Sequence, residues 1–444
     1  MHAPRSFWAR AVGLFALAAL ARFAFSFATG ELGASTVAAY EGDAPKWLRY
    51  LRGEASGPLY ELPFDPPAMP WLLGVSADGA DLLLARVLMI VLGALVAPLV
   101  YAIARRDFGE RVGLLSGTLA AFATNLVVIS SGLHVGPPFL LLALLGVEAL
   151  QRLRTPEAGW GTAVWFGAGQ AAACLFRVDH LLFVVLALAW VTVRRGRGGL
   201  ARAAVAAAAL VACLAPYQLA AAREVATANE RGLPGRPPSE LPMPGALPWD
   251  PAALAEVQAM PAFARDMAFV FVDQTMRRRG AQQVRPGDLG VLDEAFGSRP
   301  EPLRSPLLTI YGPFNFALAN HPSSDGGFTR AALDDRPPLR AGLANYPPWL
   351  APVLEPGGPL RLDYPPHLEL VNHGYRVGVA RLADRPAWAV GLVAQKLART
   401  FRGVATGFGG YALPVGLDGV RHPCLLYTSP SPRDLSTSRM PSSA

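Results

Sequence analysis

The sequence predicts a mainly α, polytopic membrane bundle, and three observations lead there. Hydrophobic residues make up 52% of the 444 residues, charged residues only 16%, and the mean hydropathy is +0.30. Apolar runs recur through the first half, at about residues 8–29, 82–104, 112–131, 137–151, 160–176, 178–193 and 200–221. A helix of about 20 apolar residues crosses a bilayer, so these runs read as about seven spans. Arginines collect in alternate connections between them: Arg5 and Arg10, Arg105, Arg106 and Arg111, Arg152 and Arg154, and Arg194, Arg195 and Arg197. Positive residues flank the cytoplasmic ends of spans, so all four clusters fall on one side of the membrane and the N-terminus is cytoplasmic.

The first run, Trp8 to Thr29, has the basic flank of a signal peptide, but it is long for a signal core, and it reads as a retained span. Arg22 inside it is costly if it faces lipid, so it either faces a neighbouring helix or snorkels outward. Residues 30–80 form the first outer loop. Its richest part is Tyr40 to Gly74, with Glu41, Asp43 and Asp65. The basic clusters place that loop outside, together with the turn at Gly132 to Pro138, the turn at Arg177 to His180, and everything after Ala222. Residues 160–176 and 178–193 are short, and length alone leaves them open as tilted or re-entrant segments.

Residues 222–384 change character. They are rich in Pro, Gly and Asp, with short apolar pieces such as Phe269 to Val272 and Leu307 to Tyr311. They read as an outer, periplasmic region of loops and short helices. Residues 385–423 then form a juxtamembrane helix and a Gly-rich loop, and Trp388 to Phe401, with Lys396 and Arg399, reads as interfacial. Residues 424–444, CLLYTSPSPRDLSTSRMPSSA, resemble a translated sequencing adapter and are set aside, so Cys424 carries no meaning and the natural chain is expected to continue past Pro423.

Composition excludes several function classes. The net charge is +7, but Lys46 and Lys396 are the only lysines. The arginines sit where topology places them, which leaves no basic stripe interleaved with stacking aromatics and no reason to expect nucleic acid. Cys174 and Cys213 lie in apolar runs and form neither a disulfide framework nor a zinc spacing. No Walker loop, GxSxG elbow or HExxH occurs.

The candidate site residues lie on the outer side. A carboxylate there, Asp43 first, can take the proton of an acceptor hydroxyl attacking a sugar carbon. Alternatively it holds a divalent cation beside a phosphate, or simply caps the short helix Pro45 to Arg52. Glu41 and Asp65 share that ambiguity. Arg86 opens the second span, Arg177 stands beside Asp179 and His180, and Arg223 follows the last span. Guanidinium groups among helices suit a lipid phosphate, because they bind its oxygens in a bidentate manner. For Arg177 the plainer reading is a buried pair with Asp179, or snorkelling at the helix end. His134 and His180 have no third partner at ligand spacing, so no metal site is assigned.

The order of these pieces resembles the membrane-embedded GT-C glycosyltransferases, nearest to the bacterial relatives of protein O-mannosyltransferases and the lipid A aminoarabinose transferase. The text that carries the resemblance is ARVLMIVLGALVAPLVYAIARRDFGERVGLLSGTLAAF (85–122), GQAAACLFRVDHLLFVVLALAW (169–190), LVACLAPYQLAAARE (210–224), GPFNFALANHPSSDGGF (312–328) and LADRPAWAVGLVAQKLARTF (382–401). The resemblance implies transfer of a sugar, with inversion, from a polyprenyl-phosphate donor to a lipid, glycan or protein acceptor at the outer face of a bacterial inner membrane. It gives Asp43 the place of the catalytic acid, and Arg86, Arg177 or Arg223 the donor phosphate. The sequence departs from the family pattern at Ala44, at the early Gly53, at Asp65 before Pro-Pro, and at His134 where a second acid is usual. Two rival classes are a lipid or solute transporter, which would show internal repeats and mid-membrane charges in paired broken helices, and an inactive envelope scaffold.

Overall fold

The computed structural model describes residues 5–33, 44–54, 62–76, 81–155, 158–233, 238–324, 326–329, 331–334 and 360–406. Among them the secondary structure is helical, and Trp249 and Val284 form an isolated parallel β-bridge. The described residues fall into two compact units. One holds residues up to 218 except 62–65, with 398–406; the other holds 62–65 and 219–397.

In the first unit, α1 is Arg5–Ala28. Its inner stripe is Ala11, Leu14, Ala18, Arg22 and Phe25, all buried, at the three-and-four spacing of a helix face. Trp8, Val12, Leu20 and Phe27 are exposed on the other faces. An apolar outer surface of this kind suits lipid and is costly in water. Two short helices follow, α2 (Ala44–Leu51) and α3 (Ala68–Ser76). Next come α4 (Leu83–Ala94) and α5 (Val96–Phe108), which together make one 26-residue candidate span. Gly109, at φ 84°, ends α5 and turns the chain into α6 (Glu110–Phe122). Only a residue without Cβ takes that angle freely. The predicted span 112–131 is broken: α6 and α7 (Thr124–Ser131) meet at 48°. After α8 (Gly136–Leu153) and α9 (Trp160–Phe176), the segment α10 (Leu181–Arg231) is two helices that meet at a kink at Gly196, whose φ of 56° and ψ of −137° are not helical.

Among the described residues, four helical stretches are long and apolar enough to cross a membrane, or five if the bent α6–α7 pair is one span. The sequence suggested about seven. The shortfall is one of length: α9 has 17 residues, about 25 Å at 1.5 Å per residue, against a hydrocarbon core of about 30 Å.

Charges hold one end of this unit together. Glu110 pairs with Arg10 and Arg105 and accepts from Tyr101 Oη (2.6 Å). Glu148 joins Arg106 and Arg152, and Asp107 joins Gln151 (2.7 Å) and Arg154 (3.1 Å). The arginine clusters of the first three basic connections are therefore partly neutralised by carboxylates at that same end.

The second unit is built from short helices: α11 (Pro251–Ala259), α12 (Arg265–Arg278), α13 (Gly290–Phe296), α14 (Tyr311–Ala319), α15 (Ala331–Asp334) and α16 (Pro365–Asp384). The last described helix is α17 (Pro386–Thr406). One core gathers Phe64, Val225, Phe263, Tyr311, Phe314 and Leu368, and a second gathers Val257, Phe269, Val272, Leu289 and Phe296. On α12, Asp266 and Asp273 lie two turns apart. Asp266 accepts from Ser239 N (3.0 Å) and Ser239 Oγ (2.8 Å), and Asp273 from Leu247 N (2.8 Å) and Arg277 Nε (2.7 Å). These two buried carboxylates fasten a Pro-rich loop whose Leu241, Met243, Leu247 and Trp249 also pack against the second core.

Candidate functional site

The end of the first unit opposite the carboxylate–arginine network is where α1 finishes, α4 begins, α7 gives way to α8, and α9 gives way to α10. One apolar cluster binds this end: Ala44, Trp47 and Leu48 of α2, Met69 and Leu73 of α3, Leu82, Ala85 and Met89 at the start of α4, and Leu133 of the α7–α8 turn. Leu72, Leu92, Val135 and Phe176 pack against it. These residues flank the candidates in sequence. Ala44 follows Asp43, Ala85 precedes Arg86, Leu133 and Val135 bracket His134, and Phe176 precedes Arg177.

Arg86 is only 1% exposed and sits in the first turn of α4. Asp81 Oδ1 accepts from Leu83 N (2.9 Å) at the start of that helix. A guanidinium within the first turn adds to the positive end of the helix dipole and makes the locality attractive to an anion.

Arg177 ends α9. Its Nε and Nη2 donate to the two oxygens of Asp179 at 3.2 and 3.0 Å, so the plainer pairing occurs. The pair is not buried, with side chains 48% and 67% exposed. An exposed pair is worth about 0–1 kcal/mol, so a phosphate can exchange for it at little cost. The guanidinium also lies 5.5 Å from the Phe139 ring centroid.

His180 is buried. Phe139 meets its ring edge-on at 5.2 Å and Phe183 stacks on it at 5.0 Å. Gln170 Nε2 donates to Leu142 O (3.1 Å), which leaves its Oε1 to accept from His180 Nε2 at 2.6 Å. That arrangement requires the proton on Nε2. Burial pushes the imidazole below its ordinary range.

His134 Nδ1 accepts the Gly136 N–H (2.9 Å) and so closes the N-terminus of α8. Burial first, and the nearby Arg177 second, push it down from 6.5 to about 4. It is therefore neutral at physiological pH. The sign of its effect on stability follows. The unfolded chain binds this proton near 6.5 and the folded chain only near 4, so stability falls as pH drops through that window. His134→Asn keeps an acceptor and removes the titration. It should lose less of its thermal midpoint between pH 7 and pH 5 than wild type does. An equal loss in the two proteins would contradict this assignment.

Asp43 and Glu41 lie outside the described residues. Asp65 and Arg223 belong to the second unit, where Asp65 is partly buried and Arg223 is exposed. The structure thus gathers Arg86, His134, Arg177, Asp179 and His180 at one end of one unit.

Two polar residues of this end escaped the sequence reading. Lys46 in α2 is only 4% exposed. Its one visible signal was rarity, as one of two lysines three residues after Asp43. Gln170 stood in the middle of an apolar run, which marks a buried polar group in need of a partner. Among the described residues, no three His, Cys, Asp or Glu side chains group as metal ligands.

Residues 65–219 match the family model for dolichyl-phosphate-mannose-protein mannosyltransferases. No curated protein and no solved structure matches the chain. The matched stretch begins just before α3 and runs into α10, so it includes Arg86, His134 and Arg177. The match supports a multi-pass membrane glycosyltransferase.

Proposed function

We propose that the chain is an inverting glycosyltransferase that moves a sugar from a polyprenyl-phosphate donor to a lipid, glycan or protein acceptor at the outer face of a bacterial inner membrane. One observation carries the reading. The cluster that buries Ala44 also holds the immediate neighbours of Arg86, His134 and Arg177. The residue after the expected base and the residues beside the expected phosphate ligands share one packed group.

In this reading the Asp43 carboxylate accepts the acceptor hydroxyl proton as that oxygen bonds to the anomeric carbon. The bond from that carbon to the phosphate oxygen breaks on the opposite side, and polyprenyl phosphate departs with the electron pair. Arg86 and Arg177 hold the phosphate, and the buried Lys46 adds positive charge at the same end. A single displacement of this kind inverts the anomeric centre. Glu41 is a second carboxylate two residues from the base. The arginine-rich end of the first unit would face the cytoplasm, which turns the site end outward.

A transporter would use broken helices and charges within the membrane, and the bent α6–α7 pair beside the buried Arg22 has that character. Arg22 is, however, bonded to helix carbonyls of α1 and α6. The transferase reading is tested by supplying labelled polyprenyl-phosphate sugar to vesicles with and without the chain and measuring label in acceptor.

A further inference from the structure

Arg22 takes no part in the site, yet it is fully buried in the inner stripe of α1. An ionisable group placed there within a membrane bundle calls for a specific partner. Its Nη1 donates to Ala18 O in its own helix (2.9 Å) and to Ala121 O (3.1 Å). Ala121 lies in the last turn of α6, one residue before the helix ends and the chain bends by 48°. The break removes intrahelical partners from the last carbonyls of α6. Lipid offers no replacement donors, so a side chain must supply them. A cation also suits the negative end of the helix dipole.

The other end of the bent segment returns to the same residue. Ser131, the last residue of α7, donates its one hydroxyl proton mainly to Val127 O (2.8 Å) and also lies 3.3 Å from the main-chain carbonyl oxygen of Arg22. Gly93 of α4 completes the junction. A Cβ there would overlap Ser130 Oγ and lie 3.2 Å from Arg22 Nε. So α1, α4, α6 and α7 converge on one guanidinium-bearing residue. Three residues beyond Ser131 comes His134, in the turn whose Leu133 is buried with Ala44 and Ala85.

We propose that Arg22 is a positioning residue: by tying the last turn of α6 to α1 through its guanidinium, it holds the broken span bent and seats the 132–135 turn at the site. Its effect on the reaction rests on the transferase reading; its effect on the turn does not.

The test uses the full chain in lipid nanodiscs, with Cys174, Cys213 and Cys424 replaced by Ala and spin labels on His134→Cys and Leu84→Cys. With Arg22 present, the distance distribution between the labels should be narrow. Arg22→Met should broaden or shift it, and Arg22→Lys, which keeps the charge and the reach, should largely restore it. Gly93→Ala, whose Cβ would displace Ser130 and press on Arg22 Nε, should broaden it too. A wild-type distribution in either Arg22→Met or Gly93→Ala would overturn the proposal. In the unlabelled protein, Arg22→Met should lower turnover by about 10²-fold, the usual consequence of misplacing a reacting group by about 1 Å. Donor KM should change little, because Arg86 and Arg177 are untouched. Unchanged turnover beside altered distances would overturn the role in the reaction. Altered distances in a chain whose wild type transfers no sugar would refute the transferase reading and leave the seating of the turn standing.

Discussion

Asp43→Asn should lower sugar transfer by about 10²–10⁴-fold, the range a positioned general base contributes, with donor affinity close to wild type. Asparagine fills the same space but cannot take the acceptor proton. The expectation rests on covalent geometry as well as on family order. Asp43 is one peptide bond from Ala44, and Ala44 is buried with Trp47 and Leu48 against α3 and α4. The backbone that carries the carboxylate is therefore attached to a rigid element. Initial rates with a labelled donor check the prediction. Glu41→Gln, two residues further from the buried anchor, should cost much less. A large loss in Glu41→Gln beside normal rates in Asp43→Asn would move the base to Glu41.

Arg86→Met should reduce kcat/KM for the donor by about 10²-fold or more, mainly through KM. The magnitude follows from its environment. Truncating one partner of a buried, hydrogen-bonded charge pair costs about 2–5 kcal/mol, and each 1.4 kcal/mol is about tenfold. Arg86 is almost wholly removed from solvent, so water screens its attraction for a phosphate only weakly. Arg86→Lys should recover part of the loss, because an ammonium supplies the charge without the bidentate fork. Thermal unfolding of the variants separates this effect from damage to the fold. A donor KM within about twofold of wild type in folded Arg86→Met would remove Arg86 from the phosphate site.

These effects were legible in the sequence to different depths. Long apolar runs and alternating arginine clusters made the bundle readable, because span length and flanking charge are local properties. The bend at Ala123 was not readable. Residues 112–131 read as one apolar run, although Thr124 and Asn125 stand at the break, and the donor that meets Ala121 O there comes from α1, about a hundred residues away. The pairing of His180 with Gln170 was hidden for a similar reason: it needs α9 and α10 to meet across a tight turn. Arg194, Arg195 and Arg197 read as a connection between spans, and the chain does break there, at the non-helical Gly196 between two helices. Arg86 and Arg177 were picked out by residue type and side of the membrane, and the cluster around Ala85 and Phe176 joins their neighbours. Arg223 has the chemistry of Arg86, and Asp65 that of Asp43, but both fall in the second unit, which residue type and membrane side do not reveal.

The central claim is that this chain moves a sugar from a lipid phosphate to an acceptor. Proteoliposomes holding the full chain, a polyprenyl-phosphate donor labelled in its sugar and an envelope lipid extract as acceptor test it most directly. The account predicts that label leaves the donor, appears in acceptor with inverted anomeric configuration, and stays in the donor when Asp43→Asn replaces wild type. Equal label in acceptor with and without the chain, or product of retained configuration, would contradict it.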